Sequence, residues 1–264
     1  MSLSYIMAHW PMALGYVGAS AAVFWWLRRG GSTDRQAAAV VEQPEHAQGP
    51  ATLFQAAASF FQLSCPLLLL AASALAAAAR LSTGGWRWSD AVVALAVVAF
   101  WPLQEWLIHV FILHLKPFAV LGRRIDPVLS RNHRNHHRVP WVPALGVTPA
   151  FIIWLYIAGL PVVWLLVLPP AQALTGMALY FTLALNYEWV HYLIHTPYVP
   201  RTRLYRRLWR NHRLHHYQNE RYWFGVTMLS ADRLLRTQPA TLDAAHSPTC
   251  RTLAVDPAAE LTDR

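Results

Sequence analysis

The sequence predicts an all-α fold, an integral membrane helical bundle of about four to five transmembrane helices with a histidine-rich cap on its cytosolic side. Three observations predict it. Of 264 residues, 55% are hydrophobic and only 13% are charged, whereas a soluble domain carries about 25% charged residues. Five apolar segments are long enough to cross a hydrocarbon core, which takes about 20 residues of helix. Ten of the thirteen histidines gather in four clusters near the ends of those segments.

The expected spans run from about Trp10 to Leu27, Leu53 to Ala79, Ala91 to Leu113, Val147 to Leu168 and Ala171 to Ile194. The first is short and contains Pro11 and Gly15. Only Pro169 and Pro170 join the last two, so these form a tight helical hairpin; proline lacks an N–H and ends the helix before it. The N-terminus has no basic n-region and no small-residue cleavage site, so its apolar stretch is read as an anchor. Residues 1–52 are thus an anchor helix with a polar linker, 53–237 the main body, and 238–264 a disordered tail without an apolar stripe. No solenoid repeat is present.

Charge orients the chain. The loops after the first, third and fifth segments hold three, six and eleven basic residues, against two and none in the alternate loops. The positive-inside rule then puts the N-terminus outside and every histidine cluster at the cytoplasmic face. The net charge of +9 follows from these flanks, which can also attract anionic headgroups, and nucleic acid is excluded as a partner. Arginine far outnumbers lysine, which fits a GC-rich bacterial genome and an inner-membrane location. Cys65 and Cys250 form no CxxC pair, so neither a disulfide framework nor a zinc ribbon is expected.

The histidines are His109 and His114 in EWLIHVFILH, His133, His136 and His137 in RNHRNHH, His191 and His195 in EWVHYLIH, and His212, His215 and His216 in RNHRLHH. The pattern is two then three, repeated once. His191 and His195 are i, i+4 neighbours on one helix face, and the three rings of each HxxHH are expected to converge. His109 and His114 are i, i+5, about 140° apart on a regular helix, so they require local unwinding ahead of Lys116-Pro117. Ten ligands are too many for one ion and suit two ions with about five histidines each; neutral imidazole serves iron, zinc, copper or nickel. His9, His46 and His246 are isolated and read as interfacial or capping residues.

Glu105 and Glu188 lie one turn before His109 and His191. A carboxylate in an apolar helix is costly and marks function. Each is expected to accept a hydrogen bond from the non-metal nitrogen of a ligating histidine, with direct ligation as the alternative. Trp106, Trp189, Tyr192 and Trp223 read as an interfacial aromatic belt or as the lining of a lipid entrance.

The order HxxxxH, HxxHH, HxxxH, HxxHH resembles the fatty acid hydroxylase/sterol desaturase superfamily of membrane di-metal enzymes. The His109 to His114 step and the long gap from His137 to His191 are most similar to the fatty acid 2-hydroxylase branch. The stretch Trp223 to Thr227, with Asp232, Leu235 and Thr237, is similar to one these proteins carry after the last cluster. The resemblance covers about Glu105 to Thr237. It implies that residues 53–237 are a catalytic domain, that the ten histidines are ligands, and that the cofactor is two iron ions, with zinc as the ion a purified protein can carry instead. It implies O2-dependent hydroxylation of a fatty-acyl or related lipid, or desaturation or methyl oxidation of a lipid or sterol at the same site. Family members often carry a fused cytochrome b5 domain, for which this chain has no room. The electrons then come from a separate cytochrome b5-, ferredoxin- or rubredoxin-like donor with its reductase. A non-enzymatic metal-binding membrane protein is the remote third reading.

Overall fold

The computed structural model describes residues 49–240 and 243–255. The expected first span, the linker from Gly30 up to residue 48 and the residues from 256 onward lie outside the described residues. Within them the chain forms α1 (Leu53–Phe60), α2 (Ser64–Thr83), α3 (Trp88–Ile108), α4 (Val128–Arg138), α5 (Ala150–Val167), α6 (Pro170–Ile194), α7 (Arg203–Tyr217) and α8 (Ser230–Leu234). A π-helical turn, His109–Leu113, continues α3, and a 3-10 turn, Pro143–Gly146, precedes α5. The one sheet among the described residues is an antiparallel pair, β1 (Phe118–Val120) with β2 (Arg123–Ile125). Leu121 and Gly122 both have positive φ, 50° and 75°, which is the two-residue hairpin geometry that matches strand twist.

The helical membrane fold is present. Among the described residues, three helices are long and apolar enough to cross a membrane: Ser64–Thr83, Trp88–Leu113 and Pro143–Val167. The span expected from Leu53 to Ala79 is two helices rather than one. Pro66 explains the break, because in a continuous helix its ring would strike the carbonyl of Gln62. Restarting at Ser64 puts Pro66 in a first turn, where no N–H is required. Helix α6 forms where the fifth span is expected, but Gln172, Thr175, Asn186, Glu188 and His191 make it more polar, and it is not among the three.

Two compact units share the described chain. The first holds Phe60–Phe100 and Thr148–Trp189; the second holds 49–59, Trp101–Val147 and the residues from Val190 on. In the first, α2 packs on α5. Leu70, Leu75, Leu95, Phe100, Phe151, Leu155 and Val163 stay exposed, as lipid-facing side chains do. Polar and small residues join the helices: Ser73 Oγ lies 2.6 Å from Thr182 Oγ1. A Cβ at Gly176 would fall 1.8 Å from the Trp164 ring, so only glycine fits there. Arg80, 2% exposed, pairs with Asp90 at 3.0 Å and lies over the Trp86 ring.

The disordered tail expected from residue 238 is corrected over 243–255. That segment forms turns tied to α7's end, where the Ser247 N–H donates to the Gln218 carbonyl at 2.8 Å. It is held by hydrogen bonds to helix ends, which leave no apolar stripe to read.

Candidate metal centre

All ten clustered histidines lie in the second unit. They form two groups of five whose ligand atoms lie within 4.8 Å of one another. Site A gathers His109, His114, His133, His137 and His215; site B gathers His136, His191, His195, His212 and His216. Nine of the ten are buried, and His114 is half-buried.

The three rings of each HxxHH do not converge on one point. At about 100° per residue, positions i and i+4 lie about 40° apart, while i+3 and i+4 diverge by about 100°. His133 and His137 therefore enter site A, and His136 turns to site B. On α7, His212 and His216 enter site B and His215 crosses to site A. The two groups thus exchange one histidine across the pair of helices.

The unwinding expected between His109 and His114 takes the form of the π-turn. The His114 N–H donates to the His109 carbonyl at 3.1 Å, an i→i+5 bond that brings residue i+5 over residue i. The ring centroids are then 5.0 Å apart.

Hydrogen bonds to carbonyls fix tautomers, since a carbonyl only accepts. His109 Nδ1 donates to Phe224 O at 2.7 Å, His137 Nδ1 to Cys250 O at 2.8 Å, and His215 Nδ1 to Tyr222 O at 2.7 Å. In neutral imidazole the Nε2 of each ring is then a lone pair. Yet His109 Nε2 and His137 Nε2 both face His133 Nε2, at 3.2 and 3.1 Å. His133 has at most one proton there to give, and the buried Nε2 of His215 has no hydrogen-bond partner. Protons cannot satisfy this set; a cation can. In site B, His136 Nε2 lies 3.1 Å from Nε2 of both His191 and His195, and His212 and His216 meet at 3.0 Å. Metal–nitrogen bonds of about 2.0–2.1 Å set neighbouring nitrogens roughly 2.9–3.4 Å apart, so both groups fit an ion.

Protonation agrees. Burial holds His133, His136, His212, His215 and His216 well below the ordinary imidazole value. His137 is pushed down to about 3 by burial, with the Cys250 carbonyl opposing. All are neutral at physiological pH, which is the form that binds metal.

The carboxylates take partners other than imidazole, and neither belongs to site A or B. Glu105 accepts from the N–H groups of Val226 and Thr227 and from Thr227 Oγ1. Its hold on His109 is indirect, because it fixes the loop that offers the Phe224 carbonyl. Three donors converge on Glu105, and His109 is already satisfied, so the expected contact has no place. Glu188 accepts from the Thr148 N–H at 3.1 Å and from its hydroxyl at 2.5 Å.

Asp232 supports the same loop and is not among the expected site residues. Fully buried, it accepts from the N–H groups of Phe224 and Gly225 at 3.0 and 2.7 Å and from Thr237 Oγ1 at 2.7 Å. Burial pushes its carboxyl up and these donors pull it back. A Cβ at Gly225 would meet Met228 O at 2.4 Å, so the loop requires glycine. Gly146 packs on site B, where a Cβ would lie 3.0 Å from the His136 ring and 3.1 Å from that of His191. Trp223 and Tyr192 are buried, so neither belongs to an interfacial belt. Trp106 donates to Thr237 Oγ1 at 2.9 Å, and Trp189 packs edge-on against Phe60. The signal for Gly225 lies in the stretch Trp223 to Thr227 and that for Asp232 in the residues that follow it; the sequence carries none for Gly146.

A family model described as fatty acid hydroxylase matches residues 94–237, more than half of the chain. Among solved structures, the chain is similar to one titled full-length scs7p with only the hydroxylase domain visible, at 21% identity and a TM-score of 0.58, covering 71% of this chain and 69% of that one. At that identity the likeness is one of fold. No curated protein sequence matches.

Proposed function

This chain belongs to the fatty acid hydroxylase family, and from that premise we propose that it is a membrane oxygenase that hydroxylates a fatty-acyl or related lipid. The balanced reaction takes R–H, O2, two electrons and two protons to R–OH and water. An unactivated C–H bond offers no acid–base handle, so two iron ions, when bound, supply the oxidising chemistry. The ten histidines hold them, five to each ion. The carbonyls of Tyr222, Phe224 and Cys250 orient three of those rings, and burial excludes bulk water. The electrons come from a separate redox protein of the cytochrome b5, ferredoxin or rubredoxin kind. The basic loops support a cytoplasmic active site, and the arginine-rich composition a bacterial inner membrane.

One observation carries this reading: imidazole nitrogens from four helical segments facing one another in two groups of five. Lipid mass spectrometry of cells with and without the gene tests it. A gene-dependent lipid heavier by one oxygen is expected. A lipid lighter by two hydrogens would assign desaturation instead, and an unchanged lipidome with iron-loaded protein present would sink the proposal.

A further inference from the structure

Residues 243–255 lie beyond the family-matched stretch, yet they bind both helices that carry an HxxHH motif. His136 and His137 sit in the last turn of α4, and His215 and His216 in the last turn of α7. Helix C-termini leave carbonyls without intrahelical donors. At α7 the Ser247 N–H serves Gln218 O. The side chains of Gln218 and Asn219 in turn donate to Ala244 O and Ala245 O at 2.7 and 2.9 Å. Thr249 Oγ1 donates to Glu220 at 2.6 Å. At α4, Arg251 Nη1 donates to Arg138 O at 3.2 Å, a favourable place for a cation. The same guanidinium lies 5.1 Å from the Trp141 ring and 5.0 Å from that of Tyr217, so it touches the ends of both helices. Between these anchors the Cys250 carbonyl takes the Nδ1 proton of His137.

We propose that 243–255 is a strap that completes site A, with Arg251 as its anchor and the Cys250 carbonyl as the group that positions His137. The proposal rests on the reading of the histidines as metal ligands. With the strap gone, His137 loses the acceptor that fixes its tautomer and ring orientation. Loss of such a partner typically costs about 10- to 100-fold in metal affinity. The strap reaches a ligating ring at His137 through the Cys250 carbonyl, so site A is where its loss is expected to be read.

The test compares the full chain, Arg251→Ala and a chain ended after Ala240, each purified in detergent and loaded with cobalt(II). Metal per chain, release to a chelator and the ligand-field spectrum are read, with circular dichroism reporting the fold. The full chain is expected to hold two ions. In the variants one ion is expected to leave about 10 to 100 times more readily, with the spectrum of only one site altered. Folded variants that keep both ions as the full chain does, or lose both equally, overturn the strap. Arg251→Ala alone decides if the shortened chain does not fold. A full chain that binds no metal would instead overturn the reading of the histidines.

Discussion

His136 and His191 stand 55 positions apart in sequence, yet their Nε2 atoms lie 3.1 Å apart. His137, the very next residue, faces His133 and Cys250 instead. Adjacent residues on α4 therefore enter different histidine groups. His136→Ala and His137→Ala are each expected to lower metal content from two ions per chain to one, and the double variant to none. Spectra of the cobalt-loaded single variants should differ, since different sites remain. Identical spectra would mean that the two histidines share an ion.

Glu105→Ala should act on site A through the 222–227 loop. It strands the buried Val226 N–H, at a cost of about 1–3 kcal/mol, together with the part-buried N–H and hydroxyl of Thr227, which cost less because water reaches them. Thermal unfolding should fall accordingly, and metal affinity at site A by about 10- to 100-fold. Glu105→Gln keeps one carbonyl acceptor and should fall between. If Glu105 were itself a ligand, the glutamine variant would lose the ion as fully as alanine does.

Gly146→Ala presses on His136 and His191, which must give by a few tenths of an ångström. Faster release of one ion is expected, with the site A spectrum unchanged. Release of both ions at the wild-type rate would show that the rings yield freely.

The metal-free protein should lose stability on acidification. A histidine whose folded value is depressed binds fewer protons folded than unfolded, so stability rises with pH between the two values. For His137 the window runs from about 3 up to the ordinary 6.5. Above it the contribution is complete; below 6.5 each such histidine removes about 1.4 kcal/mol per pH unit. Detergent-phase melting of the metal-free protein at steps below neutral pH checks this. Flat stability from about pH 7 to pH 5 would mean that the rings are solvated.

The gathering of the histidines was legible because imidazole at HxxHH spacing beside apolar helices has few other uses. Their allotment was not. Spacing within one motif suggests that His133, His136 and His137 act together, whereas the 100° turn between His136 and His137 sends them apart. Glu105 illustrates another limit. Its position one turn before His109 suggested a local contact, but its partners lie 121 and 122 positions away, and a loop reached only through folding leaves no local pattern. The second span misled for a simpler reason: a mostly apolar composition runs from Leu53 to Ala79 without a charged residue, while Pro66 divides the backbone.

The crossing of His136 and His215 also sets the order of assembly. Site A draws four ligands from before residue 140 and one from position 215; site B draws one from before that point and four from after it. A growing chain thus emerges with neither group of five complete until α7 has been made. Two separately expressed halves would each carry four histidines of one group and one of the other, so each would lack the fifth ring that the other half supplies.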